Sequence, residues 1–309
     1  MADLPKDRVN ASYVFAVTGV DFCGPFFYKS EVRTRPPIKC YICLFICFAT
    51  KAVHLELVQD LSMPAFISAL KRFILTRGRP RKIWSDNATN FVGAKNELAE
   101  LKKLFLAERH MKEVQEFCVA DHIDWRFIPP RSPHFGGLWE AAVKTAKHHF
   151  YRSASSSLLC FDDLRTLVCH ITAIINSRPL LPISEHPDDL DMLTPAHFLG
   201  TAPIRTFAEP DVTGLNFNRL DRWQQVNFLQ QTFWSRWREE YLTLLQERAK
   251  WRTEQPNLSV GDVVLVKNEN LPPLKWPLGR VTKLIAGRDG VSRSTTGPPV
   301  ANSCPYYSH

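Results

Sequence analysis

Three strand-type segments follow one another before the first helix-type segment, and that order restricts the fold more than any other feature of the chain. Tyr13-Val14-Phe15-Ala16-Val17-Thr18-Gly19-Val20 has the β-branched and aromatic content of a buried strand and leads into Asp21. Ile38 to Thr50 (IKCYICLFICFAT) is the second segment. Ala52 to Val58 is the third, with Val53, Leu55 and Leu57 alternating with His54, Glu56 and Val58 in the manner of a half-buried edge. The period then changes. Over Met63 to Arg77 the residues Phe66, Leu70, Phe73 and Ile74 form one helical face, and Gly78 supplies a stop. Lys82-Ile83-Trp84 predicts a fourth strand running into Ser85-Asp86-Asn87. Helices fit Gly93 to Glu108 and Met111 to Ala120, and Asp124 to Ile128 is a fifth strand ended by Pro129-Pro130. Helices over Leu138 to Arg152 and Phe161 to Asn176 complete the series. Three strands, a helix, a strand, helices, a strand and helices predict an α/β fold, a mixed sheet with helices packed on it.

The rest of the chain is less regular. Pro179 to Pro210 is rich in proline and acid and reads as a connector. Leu220 to Trp251 carries Trp223, Val226, Phe233, Trp234, Trp237, Tyr241 and Leu244 or Leu245 at three- and four-residue steps. It predicts a long amphipathic helix, either an arm or an element packed on the core. Val260 to Lys267 and Leu278 to Leu284 resemble two strands of a small β unit. Ser294 to His309 has no charged side chain and is expected to be disordered. The longest apolar run, Ile38 to Ala49, spans 12 residues and is interrupted by Lys39. That is short of the roughly 20 a bilayer needs, so no membrane partner is expected. The N-terminus lacks the apolar core of a signal peptide, which predicts a cytosolic or nuclear chain. Eight cysteines in 309 residues are too sparse for a disulfide framework.

Charge is unevenly spread. Residues 1–160 carry 23 basic and 15 acidic groups, 161–210 carry 3 and 7, and 211–309 carry 13 and 9. The densest basic stretch contains Lys71, Arg72, Arg77, Arg79, Arg81 and Lys82 with no acid among them. Such clustering fits a polyanion, and nucleic acid is the commonest. Solubility alone also produces basic faces.

Three carboxylates stand in settings that ask for a reason. Asp21 is read as the end of an apolar strand, where a lone charge is costly unless it is paired or binds a cation. Asp86 follows the fourth strand, and Glu140 lies in the first turn of a helix after Pro133-His134-Phe135-Gly136-Gly137. Two strands and a helix converging would make a hard oxygen site suited to Mg²⁺ or Mn²⁺. Two such ions can serve a phosphodiester displacement.

The surrounding segments carry a resemblance. GVDFCGPF around Asp21, SDNATNFVGA around Asp86 and PPRSPHFGGLWEAAVK around Glu140 resemble the Asp-Asp-Glu core of retroviral-type integrases. Within that group they look most like the integrase region of BEL/Pao-type long-terminal-repeat retrotransposon polyproteins. AVHLELVQDLS (52–62), LKRFILTRGRPRKIWSDN (70–87), INSRPLLPIS (175–184) and LTPAHFLG (193–200) support it, and the likeness runs over about residues 5–293. It implies an RNase H-like five-stranded mixed sheet over 5–205, a helical connector or arm over 206–255, and a truncated β-barrel-like unit over 256–293 before the tail. It also implies Asp21, Asp86 and Glu140 as catalytic ligands of two Mg²⁺ or Mn²⁺ ions. The activity would be cleavage and strand transfer of DNA ends, in a homo-oligomer working in the nucleus. Lys144 and Lys147, four and seven residues after Glu140, share its helical face and are expected on DNA, with Asn87, Arg79, Arg81 and Lys82.

Some features depart from the group. The 53 residues between the second and third acids exceed the usual retroviral spacing, the BEL/Pao group being similar here, and Ala88 stands where glycine is common. The zinc-binding domain that precedes such cores is not in this sequence, and the β-barrel-like unit breaks off early. The chain is therefore expected to be a fragment, either active or a silent DNA-binding relic. Cys40-x-x-Cys43 has no second ligand pair at zinc spacing and faces opposite sides of a strand, so it reads as core. Glu56 is expected on the surface of an edge strand, and His134 on a loop without a ligand role.

Overall fold

The computed structural model describes residues 12–30, 32, 34–85, 122–127, 148–152, 159–184, 186, 189, 191–200, 209–245, 259–266, 271–286, 292–296 and 299–300. Strands β1 (Val17–Tyr28), β2 (Ile38–Cys47) and β3 (Val53–Val58) form an antiparallel meander. Helix α1 (Met63–Arg77) carries the chain over one face to β4 (Lys82–Ser85), which pairs parallel to β1, and β5 (Asp124–Phe127) pairs parallel to β4. The sheet order is β3-β2-β1-β4-β5. A meander extended by parallel strands on the β1 side is the RNase H-like arrangement, as the sequence leads one to expect.

Local chemistry explains the element ends. Ser62 caps α1 by accepting from the Ala65 amide at 3.3 Å, Pro64 sits in the first turn, and Gly78 closes the helix at φ 94°. Helix α2 (Phe161–Asn176) starts after the Pro129-to-Cys160 region and ends at Ser177. β1 starts later than the apolar run predicts. Tyr13–Ala16 turn instead, with Phe15 at φ 63°, and its ring drops edge-on against Phe73 at 5.1 Å. At its other end the strand stays paired with β2 as far as Tyr28, so Asp21 lies in its interior, not at its end.

The sheet separates two apolar layers. On one face Val20, Phe22, Cys43, Phe45 and Ile83 pack against Phe66, Leu70 and Phe73 of α1. On the other, Val17, Ile42, Leu44, Ile46 and Trp84 pack against α2 and against α3 (Arg222–Leu245). Val226, Leu229, Phe233, Trp234, Trp237 and Tyr241 of α3 belong to this second layer. Of the two readings of this helix, arm or packed element, the described part is the packed one. Its aromatic stripe has no other means of leaving water, and burying it against α2 is worth roughly 1.5–3 kcal/mol per large side chain. Arg222 ties the start of α3 to α2 through Asp163, at 3.0 and 3.1 Å.

Asn176, the last residue of α2, closes the outer edge of the sheet. Its amide accepts from Val53 N–H at 2.8 Å and donates to Val53 C=O at 2.7 Å. Arg178, fully buried, donates to the Lys51 and Ile175 carbonyls, and burial pushes its guanidinium down to about 10. Asn176→Ala leaves both Val53 groups buried and unpaired. Each unpaired group costs about 1–3 kcal/mol, so urea unfolding should show a large drop in midpoint with little change in slope.

The C-terminal strands are short. β8 (Val263–Leu265), β9 (Leu278–Arg280) and β12 (Pro299–Val300) make one small sheet, and β10 (Lys283–Ala286) pairs with β11 (Ser292–Thr296). Residues 294–296 and 299–300 are therefore strand where disorder was expected. The partners are backbone groups, so an uncharged, serine- and proline-rich sequence does not prevent the pairing. β6 (Leu181–Pro182) and β7 (Met192–Leu193) form a further small ribbon in the expected connector. Trp276 inserts between Trp234, Trp237 and Tyr241 of α3 and donates to Ser177 Oγ at 3.1 Å. No described helix is long and apolar enough to cross a membrane.

Candidate functional site

The site begins with the direction of one side chain. From Thr18 to Cys23 the β1–β2 register is unbroken, and Asp21 is paired with Leu44. Val20 and Phe22 belong to the layer under α1, whereas Val17, Cys23 and Leu44 belong to the layer under α2 and α3. Strand alternation therefore aims Asp21 at the α2/α3 face. The carboxylate is half-buried, and its Oδ1 accepts from the Phe22 amide at 2.7 Å. Beside it, β4 runs parallel to β1 with Ser85 paired to Val20, one residue before Asp21 in register. Helical residues 148–152 pack on the same face, where the Phe150 ring meets Phe26 of β1 edge-on at 4.7 Å. Of the three expected acids, Asp21 is described. Asp86 and Glu140 lie outside the described residues, as do Asn87, Lys144, Lys147 and His134.

Arg79, Arg81 and Lys82 stand at the other end of β4. Arg81 and Lys82 give their amides to Ala16 C=O, and Lys82 is paired with Val17. Asp21 stands four residue steps along the strand from Val17, about 13 Å. Lys82 shares Asp21's face and lies over the Trp84 ring at 5.9 Å, while Arg79 and Arg81 are exposed. The structure thus places these cations beyond contact distance of Asp21 along one strand.

The basic run is partly spent inside the protein. Arg72 donates from Nε to Glu56 at 2.7 Å, and Arg77 donates to His54 Nδ1 at 3.3 Å. His54 in turn meets Glu56 at 2.9 Å. Sequence reasoning missed this network and put Glu56 on the surface; its side chain is 16% exposed. Glu56 is paired with Cys43, so it points to the α1 face, opposite to Asp21, and does not join the carboxylate site. The available signal was that Glu56 and His54 share parity in a strand followed by a helix rich in arginine. Cys40 and Cys43 are fully buried in opposite layers, as strand alternation requires, and burial pushes the Cys40 thiol up to about 12.

Burial alone would raise the Glu56 carboxyl, but bonds from His54 and Arg72 outweigh it and hold it below its ordinary 4.5. A depressed folded-state value means that this contribution to stability is complete above 4.5 and is lost as pH falls through the lower folded value. Glu56→Gln should therefore flatten the acid limb of the stability–pH curve below pH 4.5 while keeping its shape near neutrality. Thermal melts across that range read the effect directly.

Comparison with known proteins gives three findings. Residues 221–298 match a family of unknown function (DUF5641), a segment that takes in α3 and most of the C-terminal strands. No curated protein matches. Among solved structures, the chain is similar to a simian T-cell lymphotropic virus intasome in complex with the PP2A regulatory subunit B56 gamma. That likeness has 15% identity and a TM-score of 0.41, over 70% of this chain and 66% of that one. It is also similar to the HTLV-2 integrase catalytic core domain in complex with magnesium, at 18% identity, TM-score 0.38, and 60% and 97% coverage. The BIV integrase catalytic core domain is similar at 12% identity, TM-score 0.39, and 60% and 93% coverage. The RNase H-like assignment rests on the order, direction and register of the five strands.

Proposed function

We propose that the chain is an integrase-type polynucleotidyl transferase of the BEL/Pao retrotransposon group, acting on DNA ends and target DNA in the nucleus as a homo-oligomer. The observation that carries this reading is Asp21. A half-buried carboxylate in the central strand of an RNase H-like sheet faces the helical layer, beside a parallel strand whose last described residue is bonded to Asp86 in sequence. Asp21, Asp86 and Glu140 would hold two Mg²⁺ or Mn²⁺ ions. Bound there, such ions supply activation of the attacking oxygen and charge stabilisation of the departing one.

The protein's own part is positioning. Water or a DNA 3′-hydroxyl forms a new P–O bond as the bond to the leaving 3′-oxygen breaks, so no side chain becomes covalently attached. Lys144, Lys147 and Asn87 are assigned to the phosphates of the DNA end. Arg79, Arg81 and Lys82, further along β4, are assigned to the duplex beyond it. The all-oxygen donor set fits a hard divalent ion. The test is metal-dependent nicking or joining of terminal-repeat oligonucleotides by the full chain, with binding measured alongside over a range of salt. Activity lost in the Asp21→Asn variant, with binding that falls steeply as salt rises, supports the reading. Equal background in both proteins sinks it.

A further inference from the structure

A second group of metal-type donors lies away from Asp21. His148 and His149, on helical residues 148–152, and Glu240, on α3, each contribute one ligand atom to a set lying within 4.8 Å of one another. His148 is exposed, Glu240 is half-buried and His149 is 6% exposed. Nε2 of His149 is paired with Glu240 Oε2. Its Nδ1 is buried with no hydrogen-bond partner among the described residues. Hydrogen bonding therefore does not complete this imidazole: whichever nitrogen carries the proton, Nδ1 has no hydrogen-bonding partner among the described residues.

We propose that His148, His149 and Glu240 form a binding site for a late first-row divalent cation, zinc in the first instance, that fastens α3 to the helical segment 148–152. Two imidazole nitrogens and one carboxylate oxygen are a borderline donor set, suited to zinc and unlike the all-oxygen surroundings magnesium takes. Nε2 of His149, which faces Glu240, is the nitrogen able to share an ion with that carboxylate, and the ring proton then sits on Nδ1. Ligand atoms around four-coordinate zinc stand roughly 3.4 Å apart. The widest separation in the set, up to 4.8 Å, closes by movement of the exposed His148 side chain, while the hydrogen-bonded His149–Glu240 pair opens to admit the ion. The ligands come from two elements distant in sequence, so the ion would bind the folded chain and not the unfolded one. Three protein ligands leave one coordination position for water. A cleft of about 920 Å³ bounded by His149, Arg152, Glu239, Glu240 and Val264 adjoins it.

The test uses the full chain, stripped with chelator and titrated with Co²⁺ in excess Mg²⁺, which occupies all-oxygen sites. One equivalent of Co²⁺ should give the visible absorption of a low-coordinate ion without the sulfur-to-cobalt band of cysteine ligation. Zn²⁺ should displace it and raise Tm. His148→Ala and Glu240→Gln should each weaken Co²⁺ binding about 10-fold or more and remove the Zn²⁺-dependent gain in Tm. Because His148 is exposed, its variant should melt like wild type in the absence of metal. Absence of Co²⁺ binding by wild type, a thiolate band, or unchanged affinity in His148→Ala overturns the proposal.

Discussion

On the proposed reading, Asp21→Asn should lower metal-dependent cleavage and joining of DNA ends by about 10²–10³-fold or more and leave the fold in place. Asparagine keeps the size of the side chain and an oxygen able to accept the Phe22 amide bond at 2.7 Å. What it removes is the negative charge in the middle of β1. The apolar packing of Val20, Phe22 and Leu44 in the two layers does not involve that charge. Circular dichroism and Tm should therefore match wild type while the oligonucleotide assay in Mn²⁺ or Mg²⁺ falls to background. Asp86→Asn is expected to behave the same way. Lys82→Ala differs in kind: it should raise KM for DNA and spare kcat, because it stands about 13 Å along the strand from Asp21. Full turnover by Asp21→Asn would remove the carboxylate from the chemistry.

Phe233→Ala should cost about 3–5 kcal/mol of stability, enough to unfold many domains at physiological temperature. Phe233 is fully buried in the layer that α3 shares with α2 and the sheet, and it stacks near Trp237 with ring centres 6.2 Å apart. Truncation leaves a cavity that neither the sheet nor α2 can collapse to fill. Trp223→Ala, on the same helix but 53% exposed, should stay within about 0.5 kcal/mol of wild type. Denaturant unfolding of the pair separates two pictures of α3. A large difference belongs to a core helix; two small, equal effects belong to a free arm.

The sequence pattern shows the alternation well and the turns poorly. Met63–Arg77 and Phe161–Asn176 are legible to the residue, because Ser62, Gly78 and the apolar spacing agree with one another. Asp21 is legible as an anomaly, but its place inside β1 is not, since Phe15 adopts a positive φ that its residue type disfavours. Tertiary packing outweighs that local preference. The stripe of α3 gives the helix and its apolar face, yet a sequence has no term for the layer that receives it. Asn176 and Arg178 look like ordinary polar residues after a helix until the edge they close is in view. The same holds for Glu56, whose partner Arg72 lies on α1. His148, His149 and Glu240 are 91 or more residues apart across the two elements, beyond any local spacing rule.

The amide of Asn176 on Val53 also bears on how copies of the chain can meet. Within the described sheet, β3 is an outer strand, and an outer strand ordinarily offers its backbone as a template on which another molecule can add. Here the first outward-facing peptide groups of that template are already satisfied by a side chain from the same molecule. Continuous sheets across β3 are thereby disfavoured, and open-ended stacking of copies with them. Any copy adding a strand at this edge would first have to displace Asn176 from Val53.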